Sequence, residues 1–225
     1  MKTVYIYDDN DARNIVAEIF KSGSKIHERF PQIYNRTGHF HYIKTGAGFD
    51  IETTKIVTTE YATAYCYHWQ FSIDEYIIMG RELCVMECFI RRLIARIKML
   101  EHAPHLMVLV ANLGYEWQFC KTYWHRIGIS SVFAKQCRDP LKIELDGCIE
   151  FREIIGLFGY SLDDIARNYT KTQKLTGDLD YSKIRGSETK LTDQEIQYCI
   201  NDVKILQELG GYIMQNFSGD FPVYP

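Results

Sequence analysis

Residues 106–111 read Leu-Met-Val-Leu-Val-Ala, an apolar run without polar alternation. Successive side chains of a strand point to opposite faces of its sheet, so a run of this kind belongs to a strand buried on both faces. A chain that carries it must lay other structure over each side of the sheet, and the neighbouring segments can do so. Residues 81–101, RELCVMECFIRRLIARIKMLE, have the period of a long amphipathic helix, and a second helix is expected from about 116 to 125. Upstream, Tyr42 to Ile51 reads as a strand and Ala62 to Ile73 alternates strongly, with EYIIM as a third short strand after a turn at 72–74. Two short β segments are expected across 131–151, around the hairpin signal Leu-Asp-Gly. SLDDIARNY is a capped helix, and the segment TDQEIQYCINDVKILQELGGYIMQNF closes the pattern as a long helix, with Thr192 and Glu195 at capping-box spacing. Strands, a helix, a buried central strand and a closing helix predict an α/β fold with a mixed sheet flanked by helices.

The chain has 225 residues, 46% of them hydrophobic, enough for one globular domain with appendages. Residues 1–41 are expected as an N-terminal extension: a short strand, a helix ending before Gly23, and a linker holding Pro31. Residues 217–225 read as a tail or linker. Lys and Arg number 26 against 29 Asp and Glu, a net charge of -3, so bulk charge does not drive this chain onto nucleic acid. Any such binding needs a local basic groove or bound cations. The seven cysteines are scattered without a C-x-x-C pair and are expected to be reduced. No apolar run reaches the ~18 residues of a membrane span and no signal peptide opens the chain, so a soluble cytoplasmic protein with no membrane partner is expected.

The chemistry concentrates in three places. In Gly48-Phe-Asp-Ile-Glu-Thr-Thr54, strand alternation puts Asp50 and Glu52 on one side of the sheet. In Tyr198-Cys-Ile-Asn-Asp202, helical spacing projects the Tyr198 hydroxyl and the Asp202 carboxylate together. Between them, Asn112 and Glu116 follow the buried strand and open a helix. If the three segments converge, four carboxylates crowd one site and some must protonate unless a cation intervenes. Oxygen-only ligands favour Mg2+ or Mn2+ over zinc.

In this order, Asp-x-Glu, Asn-Leu-x-aromatic-acid and Tyr-x-x-x-Asp, the motifs resemble those of the 3′–5′ exonucleases of the DEDD family. More narrowly they resemble the proofreading domain of protein-primed, phage-type family-B DNA polymerases, whose characteristic loop the segment LTGDLDYSK looks like. The similarity covers residues 42–216. It implies a ribonuclease-H-like fold and hydrolysis of the phosphodiester at the 3′ end of single-stranded DNA. Two divalent ions, Mg2+ or Mn2+, would lie roughly 3.5–4 Å apart, one activating water and one steadying the leaving oxygen. Carried over by motif position, Asp50, Glu52, Glu116 and Asp202 would hold the metals. Tyr198 would orient the attacking water, since a phenol, with an ordinary pKa of about 10, suits positioning better than general-base work. Thr53, Asn112 and Tyr115 would touch the terminal nucleotides, Tyr115 by stacking. A polymerase domain in the same longer chain would be its natural partner, although the unit can also be encoded alone, in the host cytoplasm if phage-borne.

The chain departs from the family at three positions. Glu116 stands where Asp is usual, lengthening the arm by about 1.5 Å. Thr176 stands where the family has Lys, with Lys174 two residues earlier in reach of the same phosphate. Ala111 replaces a frequent His. Two other functions therefore stay open: a catalytically weak module of this fold that binds single-stranded DNA, and a stand-alone exonuclease acting on RNA or short oligonucleotides. Blander readings apply elsewhere. Arg91, Arg92, Arg96 and Lys98 suit a solvated helix face, and His102 with His105 suits a loop rather than a zinc clip. Lys171, Lys174, Lys183 and Arg185 flank the inferred loop and suit phosphate contact.

Overall fold

The computed structural model describes residues 1–21, 24–27, 33–35, 38–175, 180 and 183–216. The chain opens with β1 (Lys2–Tyr5), α1 (Asp9–Ile19) and a small hairpin, β2 (Ile33–Asn35) and β3 (Gly38–Phe40). It continues with β4 (Ala47–Val57), β5 (Ala62–Ile73), β6 (Tyr76–Gly80), α2 (Leu83–Ile97), β7 (Leu106–Val110) and α3 (Leu113–Ile127). The remainder is β8 (Ile129–Gln136), β9 (Asp139–Leu145), β10 (Ile149–Glu153), α4 (Ile155–Phe158), α5 (Leu162–Tyr169) and α6 (Asp193–Asn216).

Eight strands form one mixed sheet in the order β1-β6-β5-β4-β7-β10-β9-β8. β7 lies inside it, parallel to both β4 and β10. Its apolar run divides between two cores as a doubly covered strand requires. Leu106, Val108 and Val110 pack with Phe89 and Leu93 of α2 and Trp124 of α3. Met107 and Leu109 pack with Ile165 of α5 and with Leu206 and Leu209 of α6. Each such side chain contributes about 1.5–3 kcal/mol by leaving water. A mixed sheet with helices on both faces is the expected ribonuclease-H-like arrangement.

The strand containing the acidic pair begins at Ala47 rather than Tyr42 and continues past the pair to Val57. Tyr42 instead makes a single bridge to His105 before the chain bends. The region 129–153 holds three strands rather than two. The Leu-Asp-Gly turn does join β9 to β10, with Asp146 and Gly147 both in the left-handed region (φ 50 and 61). A second turn passes through Arg138 (φ 74), which carries neither Gly nor Asn to announce it.

Residues expected as an extension are attached to the main sheet: β1 runs parallel to β6, and α1 buries Ala12, Ile15, Val16 and Ile19 in the core it shares with α2. Gly23, Pro31, Thr176 with most of the LTGDLDYSK loop, and the tail from 217 lie outside the described residues. Among those described, no helix is long and apolar enough to cross a membrane, and all seven cysteines are free.

α6 is placed by two local devices. The capping box forms as the spacing predicts, with Glu195 N–H on the Thr192 hydroxyl (3.2 Å) and Thr192 N–H on the Glu195 carboxylate (2.8 Å). Glycines at the start of β4, Gly46 just before it and Gly48 within it, then let the helix lie almost on the strand. A Cβ at Gly46 would strike the Gln207 carbonyl, and one at Gly48 would sit 2.7 Å from Leu206 Cβ and 2.8 Å from the Val203 oxygen. This close approach brings the turn carrying Asp202 beside Asp50.

Candidate active site

At the rim of the sheet, where β7 ends and α3 begins, a cavity of about 300 Å³ opens between β4, α3, α6 and the loop ahead of α6. Its lining includes Asp50, Glu52, Thr53, Asn112, Tyr115, Glu116, Lys174, Tyr198 and Asp202, with Ile51, Ala111 and Leu162. Every residue singled out from the three motifs therefore reaches one space, together with Lys174.

Local structure aims each side chain. The β4–β5 pairing shifts register between Glu52 and Thr53, so that Tyr67 becomes an extra residue opposite them. Such bulges bend a strand and redirect its side chains. Glu52 stays buried, while the Thr53 hydroxyl hydrogen-bonds to the Tyr115 hydroxyl. Asn112 is the N-cap of α3 and accepts from Tyr115 N–H at 3.2 Å. Tyr115 is 43% exposed, with its ring against Phe119. Glu116, in the first turn of α3, is 3% exposed, and its Oε2 has no hydrogen-bond partner among the described residues. Lys174 places its amine 2.9 and 3.1 Å from the Asp202 oxygens and 3.4 Å from the Tyr198 hydroxyl. Cys199 Sγ lies 3.8 Å from Glu52 Oε1.

The electrostatics follow from that crowding. Burial, then the charge of Asp202, pushes the Asp50 carboxyl up to about 7. Burial first and the Asp50 charge next raise Glu52 and Glu116 well above the ordinary carboxylate range. Asp202 is raised by burial, against the opposing pull of Lys174 and Tyr198. Among the described residues Lys174 is the one cation lining the cavity, against four acids. The donor set is hard oxygen throughout, and the unpartnered Glu116 oxygen marks unmet demand for a cation. The residues present thus fit divalent ions of the Mg2+ or Mn2+ type.

The flanking basic residues divide. Arg185, expected at a phosphate, is 2% exposed, pairs with Glu195 (Nε to Oε1, 3.0 Å) and donates to the Asp180 and Lys183 carbonyls. It anchors the loop instead. Arg91 and Arg92 pair with Glu87 and Asp9 on the solvated face expected for them.

A second polar cluster was not foreseen. His105, Glu144 and Glu150 bring ligand-type atoms within 4.8 Å of one another, a set that can take a metal ion. His105 is 8% exposed and its Nδ1 stands 3.1 Å from Glu150, so it is no loop filler. Glu150 also accepts from the Tyr42 hydroxyl (2.8 Å) and Arg152 Nε (2.9 Å). Burial opposes its ionisation, yet the His105 hydrogen bond and the charges of Arg152 and Lys142 hold it well below the usual range.

Motif reading also missed Gln70, whose Nε2 donates to Asp50 Oδ2 at 2.6 Å. The signal was present in β5: His68, Gln70 and Ser72 alternate with Tyr67, Trp69, Phe71 and Ile73, an unusual polar row for a strand buried throughout this stretch.

No protein-family model matches this sequence, and no curated protein sequence matches it. Solved structures of Phi29 DNA polymerase share its fold. The ternary complex with primer-template DNA and incoming nucleotide substrates aligns at TM-score 0.56 and 17% identity, over 72% of this chain and 29% of that one. The complex with single-stranded DNA aligns at TM-score 0.54 and 15% identity, over 72% of this chain and 30% of that one. The chain thus spans less than a third of the length of those structures.

Proposed function

We propose that this chain is a metal-dependent 3′–5′ exonuclease acting on single-stranded DNA, the proofreading unit of a phage-type, protein-primed DNA polymerase. The observation that carries the reading is the meeting of four acids from three distant segments in one cavity, with Lys174 the one amine to oppose them among the described residues. The fold shared with a DNA polymerase that is seen complexed with single-stranded DNA supports the choice of substrate. Residues 42–216 would be the exonuclease domain, with 1–41 an N-terminal extension joined to its sheet through β1 and 217–225 a tail or linker.

Asp50, Glu52, Glu116 and Asp202 would hold the two divalent ions. When bound, these ions supply an activated water and charge stabilisation for the departing 3′-oxygen. The chain's own residues do the rest. The Tyr198 hydroxyl, one helical turn from Asp202, orients the attacking water. Tyr115, exposed at the mouth, offers its ring to the terminal base, and Thr53 and Asn112 fix the nucleotide beside it. Lys174 reaches in from the loop and neutralises a phosphate oxygen once Asp202 is engaged elsewhere.

A binding module without turnover is the second reading. It is favoured by the Lys174 amine resting on Asp202, which already balances one of the acids. A 3′-labelled single strand incubated with Mg2+ or Mn2+ separates the two. Stepwise release of mononucleotides, lost in Asp50→Ala, is expected; tight binding without release would replace the exonuclease by the module. Faster degradation of RNA in parallel would reassign the substrate.

A further inference from the structure

Asp50 does not stand alone on its strand. In the β4–β5 register Gly48 faces Ser72, Asp50 faces Gln70 and Glu52 faces His68, and the three β5 residues are all 0% exposed. Ser72 donates to the Val203 carbonyl of α6 at 2.8 Å, so this row lies beneath that helix. Gln70 Nε2 donates to Asp50 Oδ2 at 2.6 Å, and Gln70 Oε1 lies 2.9 Å from His68 Nδ1.

We infer that Gln70, locked by His68, is a positioning residue that fixes the Asp50 carboxylate in the orientation needed to hold a metal ion. The polarity of the relay follows from donor chemistry. A carboxylate accepts, so the amide must turn its NH2 to Asp50 and its oxygen to His68, and the imidazole must carry its proton on Nδ1. Burial keeps that ring neutral. The amide cannot flip without losing both bonds, and it pins one Asp50 oxygen, the carboxylate also taking a backbone hydrogen bond from Ile51. Packing alone does not account for this arrangement, although the His68 ring sits edge-on to Tyr5 with centroids 6.1 Å apart. His68 Nε2 is buried without a hydrogen-bond partner among the described residues, a cost an apolar side chain would avoid. Neither Gln70 nor His68 lines the cavity, so both act through the acids that do, Gln70 bonding Glu52 as well as Asp50.

The inference rests on the reading of Asp50 as a metal ligand, and its test separates the two. Mn2+ binding to the full chain is measured by titration calorimetry for the wild type, Asp50→Ala, Gln70→Leu, His68→Phe and His68→Asn, each with its melting curve in chelator. Asp50→Ala is expected to lose the site. Gln70→Leu is expected to weaken Mn2+ binding about 10–100-fold, the usual effect of removing a partner behind a ligand. His68→Phe weakens it less, and His68→Asn, whose amide can donate from near the place of Nδ1, recovers most of the loss. A purely structural role would shift the melting curve and leave Mn2+ affinity untouched. If Asp50→Ala loses the site while Gln70→Leu and His68→Phe bind Mn2+ like the wild type, the relay is overturned and the exonuclease reading stands. If Asp50→Ala binds Mn2+ unchanged, both fall. Should Gln70→Leu fail to fold, the order of the two His68 variants decides, and equal affinity of His68→Phe and wild type overturns the relay.

Discussion

Half-buried Asp50 and buried Glu150 are acids on strands of the same sheet, and their surroundings pull them in opposite directions. Around Glu150 the chain supplies Arg152, Lys142, His105 and the Tyr42 hydroxyl, and the carboxyl is held below its ordinary range. Around Asp50 it supplies three more acids, and the carboxyl rises to about 7. A buried charge is tolerable only when paired. The first cluster carries its own counter-charge. The second is paired only in part, by Lys174, and gains most from a cation taken from solution. Ligand distances make His105, Glu144 and Glu150 a metal candidate; metal is proposed at the rim because of its excess of acids over Lys174.

The sharpest way to break this contrast is to remove one acid from each side. Asp50→Ala is expected to cut nuclease turnover by about 10²–10⁴-fold, the several kcal/mol that bound metal contributes to a phosphoryl transition state. Glu150→Gln should leave turnover near wild type; the reverse result would exchange the roles of the clusters. Stability is expected to respond the other way. Arg152→Met strands Glu150 and should cost about 3–5 kcal/mol in urea unfolding. Asp202→Asn in chelator should cost little, because it relieves repulsion. Gly48→Ala tests how the rim site is assembled. Overpacking against Leu206 and Val203 should cost about 1–3 kcal/mol and lower Mn2+ affinity by moving Asp202.

The smallest effect is in pH. An acid whose folded pKa is raised binds more protons folded than unfolded, so stability falls as pH rises between the two values. For Asp50 that window runs from an unfolded pKa of about 3.9 to the folded value of about 7. Metal-free protein should therefore melt lower at pH 7 than at pH 5 by this contribution, and Mn2+ should erase the difference. Glu150 has the opposite sign: its stabilisation is complete above its unfolded pKa of about 4.3 and is lost as pH falls below it. His68, held neutral by burial with its pKa lowered to about 4, contributes with the opposite sign up to its ordinary value. The test is therefore the comparison with Asp50→Asn: a wild-type melting temperature in chelator that does not fall relative to Asp50→Asn from pH 5 to 7 would remove the claimed repulsion.

Much of this was legible because the relevant patterns are local. Strand parity placed Asp50 with Glu52, helical spacing placed Tyr198 with Asp202, and the apolar run at 106–110 announced a doubly covered strand. Thr192 and Glu195 announced the start of α6. What escaped depends on partners far along the chain or on unmarked turns. His105 looked idle because its acids arrive 39 and 45 residues later, on β9 and β10. Gln70 is silent until β4 and β5 pair and set it opposite Asp50. The β8–β9 turn at Arg138 has no glycine, so two strands read as one. Gly46 and Gly48 acquire meaning only when α6 is laid over them.

The most direct test is anomalous diffraction at the manganese edge from crystals grown with Mn2+. Peaks among Asp50, Glu52, Glu116 and Asp202, with Lys174 displaced from Asp202, are the predicted result. Manganese found only beside His105, Glu144 and Glu150, or nowhere, would contradict it.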